Sequence, residues 1–178
     1  MSLHSLLQSK VVDVLDFPAP GIVFKDISPL LADHEAFAAA VDAVVAGARD
    51  DRIDKVVGIE ARGFLLAAPA AYHLRAGFVP VRKPGKLPGP TRETSYDLEY
   101  GSNVLQVHLD AFVPGERVLV VDDVLATGGT AAAAGRLVQE AGAELVGFSV
   151  LLELAALGGR DLLARAHPAA PLSTLLRY

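Results

Sequence analysis

Two adjacent aspartates and a glycine-rich turn are the residues of this sequence whose types and spacing best suit chemistry. The apolar run Val118–Val121 leads into Asp122 and Asp123, and the small residues of Ala126–Thr130 then lead into a helical pattern. Glycines let backbone N–H groups approach an anion closely, threonine hydroxyls add donors, and the following helix presents the positive end of its dipole. The turn therefore predicts a binding site for a terminal phosphate.

The aspartates require a different partner, because a carboxylate would repel a phosphate. An ionised carboxylate only accepts hydrogen bonds, and sugar hydroxyls are suitable donors. The turn and the carboxylates together predict a site for a ribose 5-phosphate. The spacing matches neither the G-x-G-x-x-G fingerprint of dinucleotide-binding folds nor a Walker A loop, which ends in Gly-Lys-Ser/Thr. The simpler alternative is a strand, turn and helix whose glycines serve only the turn and whose acids serve only solubility.

Positive side chains cluster at two other places, although the net charge of the chain is −5. Arg62 stands between a predicted strand and a predicted helix, while Arg82, Lys83 and Lys86 follow another predicted strand. Such groups can form an anion site. The alternatives are that Arg62 is an ordinary surface charge and that the lysines solvate a Pro-Gly turn. The sequence offers no Ser-His-Asp or Cys-His arrangement for nucleophilic catalysis.

Length and composition restrict the class of protein. The 178 residues are 52% hydrophobic and 21% charged, which predicts one globular domain over residues 1–178. A net acidic chain is a poor non-specific ligand for polyanions, so we expect no nucleic-acid partner. The lack of cysteine excludes disulfides and thiolate sites and fits a reducing compartment. The sequence has no basic start followed by a long apolar run, so we expect no signal peptide, no membrane partner and a cytoplasmic location.

An alternation of strands and helices must position the candidate residues. Short β-branched runs alternate with helical periodicity, which predicts an α/β fold with a mainly parallel sheet and helices on both faces. Ligands of such sheets bind at the carboxyl ends of the strands, which is where the two aspartates would lie. The predicted strands are Lys55–Glu60, Phe78–Arg82, Asn103–Leu109, Arg117–Val121 and Leu145–Leu152. The predicted helices are Phe37–Ala48, with a cap near Asp33, Phe64–Arg75 and Thr130–Ala141.

Two segments depart from this alternation. Lys83–Gly101 is rich in proline and glycine, and we expect a long mobile loop with a short hairpin at its base. Such a loop could close over a site and exclude water, with its carboxylate Glu99 as a general base. The alternative is that Glu99 is an ordinary solvated residue. The stretch from Gly158 onwards lacks strong periodicity, so we expect only a partial cap over the domain.

The segment Val118–Thr130 resembles the motif with which type I phosphoribosyltransferases bind phosphoribosyl pyrophosphate (PRPP). Further blocks are similar to one branch of that family, the adenine phosphoribosyltransferases. These blocks, in the order in which the family has them, are Asp16–Ile27, Glu60–Phe64, Arg82–Gly89, Ser95–Gly101 and Leu152–Leu154. The resemblance extends from about residue 16 to about residue 160 and therefore covers nearly the whole chain.

The resemblance implies both a fold and a reaction. The fold is a parallel core sheet with a small hood, mainly residues 1–35, and a flexible catalytic loop at about residues 83–101. The reaction transfers the 5-phosphoribosyl group of PRPP to adenine and gives AMP and pyrophosphate, a step of purine salvage. The family also implies a homodimer and a requirement for Mg²⁺, with the ion held mainly by PRPP and water instead of by protein ligands.

The same resemblance implies a role for each matching residue. The residues implied for catalysis are Glu99, Arg62 and Lys83. The residues implied to bind PRPP or AMP are Asp122 and Asp123 at the ribose hydroxyls, Ala126, Thr127, Gly128, Gly129 and Thr130 at the 5-phosphate, Arg62, Lys83 and Lys86 at the pyrophosphate, Arg82 near it or across a dimer interface, and Tyr100 on the loop. The residues implied to line the adenine pocket are Val23, Phe24 and Lys25, with Leu154 nearby.

Some alternatives stay open at this point. Many members of the family carry arginine where this chain has Lys25. The planar guanidinium of arginine and the compact ammonium of lysine are not equivalent if this side chain contacts the base. Phe24 suits the core of the hood as well as it suits base stacking. A transferase for another nucleobase and a non-catalytic PRPP-binding regulator are the remaining functions. The block Pro18–Phe24 favours adenine, and the acidic net charge argues against a DNA-binding regulator.

Overall fold

A sheet of five parallel strands lies at the centre of the computed structural model, which describes residues 2–48, 52–97 and 102–178. The strands lie in the order β4 (Gly77–Val81), β3 (Lys55–Ile59), β7 (Arg117–Leu125), β8 (Glu144–Glu153) and β9 (Leu172–Arg177). Strands β3, β7 and β8 are buried along most of their length, as expected when both faces of a parallel sheet are covered. The predicted α/β fold is therefore confirmed.

Helices cover both faces of this sheet. Helices α5 (Gly129–Glu140) and α6 (Gly159–Ala166) contribute to one hydrophobic core, and α3 (His34–Gly47) and α4 (Gly63–Leu74) contribute to the other. The predicted cap Asp33 is confirmed, because its carboxylate accepts a hydrogen bond from the first turn of α3. None of the helices in the described ranges combines the length and the apolar character that a membrane crossing requires.

The N-terminal segment consists of short elements that precede the sheet. It contains α1 (Leu3–Gln8), an antiparallel pair of strands, β1 (Val12–Leu15) and β2 (Val23–Asp26), and α2 (Ser28–Ala32). The two strands form a small sheet of their own and β1 is exposed along its whole length. Strand β2 carries the residues that the resemblance implies for the adenine pocket, so this hairpin must approach the central sheet if the pocket is to form.

A long hairpin occupies much of the predicted loop. Strand β5 (Thr91–Asp97) pairs in antiparallel fashion with β6 (Ser102–His108), from Thr91 opposite His108 to Asp97 opposite Ser102. The hairpin is therefore longer than the short one that we expected at the base of the loop, because the turn residues that suggest a loop end at Pro90. The candidate residues Glu99 and Tyr100 lie outside the described residues.

The C-terminal stretch is not the partial cap that we expected. Helix α6 is followed by β9, which pairs in parallel with β8 and forms one edge of the central sheet. The prediction was wrong because α6 has only 8 residues, too few for a clear period, and because the burial of the edge strand β9 does not alternate strictly.

Candidate active site

A cleft of about 490 Å³ lies at the carboxyl ends of β3 and β7, the edge of the sheet at which ligands of open α/β folds bind. Residues from four parts of the chain line it: Ile59, Glu60, Ala61, Arg62, Lys83, Tyr96, Asn103, Leu105, Asp122, Asp123, Val124, Ala126 and Thr130. The structure thus brings six of the candidate residues into one cleft, namely Arg62, Lys83, Asp122, Asp123, Ala126 and Thr130.

The two aspartates lie within a strand and not in a loop. Strand β7 continues past the predicted end at Val121 to Leu125, and Asp122 pairs with Val150 of β8. The prediction placed the strand end too early because acidic residues are rare inside buried strands. Their position in a strand fixes the backbone of both carboxylates by the hydrogen bonds of the sheet.

Asp123 provides a hydrogen-bond acceptor that is not used within the described chain. Its side chain is 8% exposed, and Nε of Arg62 lies 2.7 Å from its Oδ2. This contact is an ion pair without hydrogen-bond geometry, so the buried Oδ2 has no hydrogen-bond partner among the described residues. Because a buried carboxylate oxygen normally has a donor, this atom is suited to receive one from a ligand.

Asp122 is held in a different way. Its Oδ1 accepts a hydrogen bond of 2.9 Å from the backbone N–H of Asp123. Desolvation raises the pKa of the Asp122 carboxyl well above its ordinary value, and the nearby negative charge of Asp123 raises that pKa further. Burial and the neighbouring Asp123 thus both disfavour the ionised form of Asp122.

Gly63 is a site residue that the sequence analysis did not single out. A Cβ atom added at this position would lie 2.5 Å from Oδ1 of Asp122 and 3.3 Å from the Asp122 Cα. A side chain here would therefore displace the carboxylate. The available signal was the glycine that directly follows Arg62 at the start of a predicted helix.

The glycine turn lies next to the aspartates, as predicted. Gly128 has a φ of +87°, which favours glycine, and α5 begins at the next residue. The hydroxyl of Thr130 donates a hydrogen bond of 3.1 Å to Oη of Tyr96, which links the turn to the β5–β6 hairpin. Among the turn residues, Ala126 and Thr130 line the cleft, and Thr127 is exposed.

The candidate cations do not all reach the cleft. Arg62 and Lys83 line it, whereas Arg82 and Lys86 are not among its lining residues. The Nε of Arg82 donates a hydrogen bond of 2.7 Å to Oε2 of Glu60, and its Nη1 donates one of 3.1 Å to the carbonyl of Lys86. Glu60, whose side chain was not a candidate, therefore holds Arg82 beside the cleft.

The N-terminal hairpin reaches the cleft through one aromatic residue. The guanidinium of Arg62 lies over the ring of Phe24, 5.0 Å from its centroid, and Phe17 packs against the same ring edge-to-face at 5.1 Å. Arg62 thus contacts both Phe24 and Asp123, so the residue implied to contact adenine and the residue implied to contact ribose share one neighbour.

The other candidates for the adenine pocket have different environments. Nζ of Lys25 lies 2.6 Å from Oδ1 of Asp13 and 4.3 Å from the centroid of the Tyr178 ring. Val23 is exposed, and the backbone N–H of Leu154 donates a hydrogen bond of 2.9 Å to the carbonyl of Leu125. The charge of Lys25 therefore links the N-terminal hairpin to the end of the chain.

Comparison with known proteins assigns a family. Residues 30–163 match the phosphoribosyl transferase domain family. The chain is 62% identical over 175 residues to the adenine phosphoribosyltransferase of Acidothermus cellulolyticus, with 98% of this chain and 97% of that protein covered.

Solved structures agree with this family. The crystal structure of the Rhodothermus marinus adenine phosphoribosyltransferase matches with a TM-score of 0.93 and 49% identity, covering 99% of this chain and 98% of that one. The Saccharomyces cerevisiae enzyme, solved with D-2,5-dideoxy-2,5-imino-altritol 1,6-bisphosphate and adenine, matches with a TM-score of 0.91 and 39% identity, covering 98% of both chains. A cleft of this composition in this fold, together with such similarity over nearly the full length, shows that the chain belongs to the adenine phosphoribosyltransferases of the type I phosphoribosyltransferase family.

Proposed function

We propose that the cleft between β3 and β7 is the active site at which this chain transfers the 5-phosphoribosyl group of PRPP to adenine, giving AMP and pyrophosphate. The observation that carries this proposal is Oδ2 of Asp123, a buried acceptor without a hydrogen-bond partner among the described residues. It shares the cleft with a phosphate-type turn and with the cations Arg62 and Lys83. PRPP has sugar hydroxyls in its middle and anionic groups at both ends, and it fits this combination.

The proposed binding mode gives each part of PRPP its own partner. The 5-phosphate binds to the turn Ala126–Thr130 through backbone N–H groups, including that of Thr130, and through the hydroxyl of Thr127. The ribose hydroxyls donate to Asp122 and Asp123. The pyrophosphate meets Arg62, Lys83 and Lys86, with Arg82 beside them, and Tyr100 approaches from the segment beyond β5.

Arg62 links the proposed pyrophosphate contact to the proposed ribose contact. Without a ligand its guanidinium pairs with Asp123. When PRPP binds, pyrophosphate oxygens compete for the guanidinium while a ribose hydroxyl donates to Asp123. The ion pair is thereby replaced by a charge-assisted contact on each of the two residues, so the buried Asp123 carboxylate is not left without a partner.

Adenine binds next to Phe24, which contacts Arg62 and offers an aromatic ring for stacking. Val23 and Leu154 border the base. Lys25 contributes through its backbone, because its ammonium group is engaged by Asp13 and by the Tyr178 ring. On this proposal the difference between lysine and arginine at this position has little effect on the affinity for adenine.

The reaction needs no protein nucleophile. The bond between the anomeric carbon and pyrophosphate breaks, positive charge develops at that carbon, and a ring nitrogen of adenine forms the new bond. Arg62 and Lys83 stabilise the departing negative charge. Glu99, which lies outside the described residues, accepts the proton that leaves the adenine nitrogen.

Magnesium fits this cleft as an ion carried in with the substrate. The residues that the structure describes contain no group of three or more His, Cys, Asp or Glu side chains that could hold a metal. The ion would therefore take most of its ligands from PRPP oxygens and water, near the carboxylates of Asp122 and Asp123. When bound, Mg²⁺ neutralises charge on the pyrophosphate oxygens.

We also infer a homodimer, formed through an apolar surface on α4 and β4. Leu65, Ala68 and Tyr72 lie on the outer side of α4, and Tyr72 is 80% exposed. Phe78, on the edge strand β4, packs edge-to-face on Phe64. An exposed apolar surface of this kind, on the helix that begins directly after Arg62, suits an interface with a second copy of the chain.

We further propose that the protein works in the cytoplasm. The chain has no cysteine, which fits a reducing compartment. Fractionation of its source cells tests this: recovery with the membrane or exported fraction contradicts it.

A panel of nucleobases tests the proposed reaction. The purified protein is incubated with PRPP, Mg²⁺ and each base separately, and the nucleotide formed is identified. We expect AMP from adenine and little product from other bases. IMP or GMP as the main product would indicate a different base specificity, and bound PRPP without turnover would indicate a regulator.

The role of Asp123 is tested in the same assay. Asp123→Asn removes the charge but keeps the size of the side chain, and we expect the KM for PRPP to rise by about tenfold or more. Asp42→Asn, an exposed position on α3, is the matched control and should leave the KM unchanged. An unchanged KM in Asp123→Asn would exclude the proposed ribose contact.

A further inference from the structure

The proposed phosphate turn rests on the first residue of α6. A Cβ atom added at Gly159 would lie 2.3 Å from the carbonyl oxygen of Ala126 and 3.1 Å from the backbone N of Gly128. A Cβ atom added at Gly128 would in turn lie 2.8 Å from the carbonyl oxygen of Gly159. The two backbones are therefore in direct contact, and any shift of Gly159 must displace the turn.

Arg160, the next residue, is fixed to the sheet by a forked contact. Its Nε donates a hydrogen bond of 3.0 Å to Oε1 of Glu153, and its Nη2 donates one of 2.5 Å to Oε2. Nη2 also lies 3.0 Å from Oγ1 of Thr174 on β9. The planar guanidinium thus fixes distance and orientation together, which a point charge could not do.

Glu153 is placed to transmit this restraint to the turn. Its side chain is 3% exposed and it pairs across the sheet with Leu125, the residue that precedes Ala126. The hydrogen bond from Arg160, together with the positive charges of Arg160 and Arg177, lowers the pKa of Glu153 below its ordinary value, so the carboxylate stays charged. Its charge is compensated by these arginines, so no isolated negative charge lies next to the anion site.

The far end of α6 is fixed as well. His167 is buried, with Nε2 at 2.9 Å from the carbonyl oxygen of Ala132 and Nδ1 at 3.1 Å from Oε1 of Gln139. Ala132 and Gln139 both belong to α5, the helix that begins at the turn. Helix α6 is therefore held at its start by the sheet and at its end by α5. The turn Ala126–Gly129, which connects the sheet to α5, contacts the start of α6.

We propose that Arg160 and Glu153 are positioning residues for PRPP, because their ion pair sets the place of Gly159 and thereby the geometry of the turn Ala126–Gly129 that binds the 5-phosphate. The inference rests on the proposed binding mode. Neither side chain touches the substrate. Their effect is confined to the end of PRPP that carries the 5-phosphate, so adenine binding is affected little.

The test compares Arg160→Lys with Arg165→Lys, an exposed arginine on the same helix. Lysine keeps the positive charge that compensates Glu153 but cannot form the two parallel hydrogen bonds of the guanidinium. We expect the KM for PRPP and the Kd for ribose 5-phosphate to rise by about tenfold in Arg160→Lys, because small errors in position reduce binding strongly. The KM for adenine should change less than about twofold, and Arg165→Lys should match the wild type in each measurement.

Gly159→Ala provides a second route to the same result. It displaces the turn directly and leaves the Arg160–Glu153 pair in place. We expect a rise in the KM for PRPP at least as large as that of Arg160→Lys, with circular dichroism showing a folded protein. Equal rises in the KM values for PRPP and adenine, or wild-type values for both variants, would overturn the proposal.

The Asp123→Asn variant distinguishes a failure of this inference from a failure of the proposed function. If Asp123→Asn weakens PRPP binding and neither Arg160→Lys nor Gly159→Ala does so, only the positioning role is wrong. If Asp123→Asn also leaves PRPP binding unchanged, the assignment of the cleft itself is wrong.

Discussion

At the scale of single residues, Asp122 combines a functional role with a cost to folding. Desolvation, followed by the negative charge of Asp123, raises the pKa of its carboxyl. The folded chain therefore disfavours the ionised form of Asp122, while the proposed contact with ribose hydroxyls needs acceptor oxygens. Sites of this kind commonly retain groups that reduce stability for the benefit of binding.

Asp122→Asn should therefore make the unliganded protein more stable at neutral pH. Between the ordinary pKa of aspartate, about 4, and the raised value in the fold, the folded state binds more protons than the unfolded state. The free energy of unfolding of the wild type consequently decreases as the pH rises through this range. The asparagine variant lacks this decrease and keeps the acceptor for the Asp123 N–H.

Thermal unfolding at several pH values measures the effect. We expect the melting temperature of Asp122→Asn to exceed that of the wild type by on the order of a few degrees at pH 7, and by less near pH 4. The KM for PRPP should rise about tenfold in the same variant. A difference in melting temperature that is independent of pH would contradict the raised pKa.

At the scale of secondary-structure elements, the β5–β6 hairpin is linked to α5 by two hydrogen bonds. Thr130 at the start of α5 donates a hydrogen bond to Tyr96 of β5 at 3.1 Å. Six residues further along the helix, Nη2 of Arg136 donates one of 2.8 Å to the carbonyl of Ser95. These two contacts hold the hairpin against the helix whose N-terminus is proposed to bind the phosphate.

Tyr96→Phe tests this contact between elements. Loss of the hydroxyl leaves Thr130 without its acceptor and should lower the free energy of unfolding by about 1 kcal/mol. We expect a rise of a few fold in the KM for PRPP, because the Thr130 side chain becomes free to rotate. Ser173→Ala removes an exposed hydroxyl on β9 instead and serves as the control in denaturant unfolding and kinetics. Equal effects of the two substitutions would show that the Thr130 contact is unimportant.

At the scale of the whole molecule, the apolar surface on α4 and β4 connects the site to the proposed dimer. Helix α4 begins directly after Arg62, and the Arg82 guanidinium lies 6.0 Å from the ring of Phe64 on this helix. A second copy that packs on Leu65, Tyr72 and Phe78 would therefore border the cationic side of the cleft. Dimerisation would then affect the binding of pyrophosphate.

Leu65→Glu should break the proposed dimer. A charge introduced into an apolar interface loses its hydration without gaining a partner. Light scattering coupled to size-exclusion chromatography should show twice the mass of the chain for the wild type and a single chain for the variant. Leu109→Glu, which changes another exposed leucine, is the control and should remain dimeric. A wild-type protein that elutes as a single chain would contradict the dimer.

Much of the architecture and one part of the site could be predicted from local patterns. Strand β3 is a short run rich in β-branched residues, strand β8 is mostly apolar, and the helices α4 and α5 end near glycines, so short windows of sequence were sufficient. Strand β9 was missed because an edge strand is only half buried and its sequence lacks the pattern of an inner strand.

By itself, the sequence determined which groups are available: a strand with two carboxylates followed by a turn that can bind an anion, and cations in two other short segments. Only the tertiary structure decided how these groups are used. The ion pair of Arg62 with Asp123, the contact of Gly63 with Asp122 and the support of the turn by Gly159 each join residues far apart along the chain. Such contacts depend on how the helices pack on the sheet, and packing in a dense core is set by the sum of many weak interactions that no short segment of sequence contains.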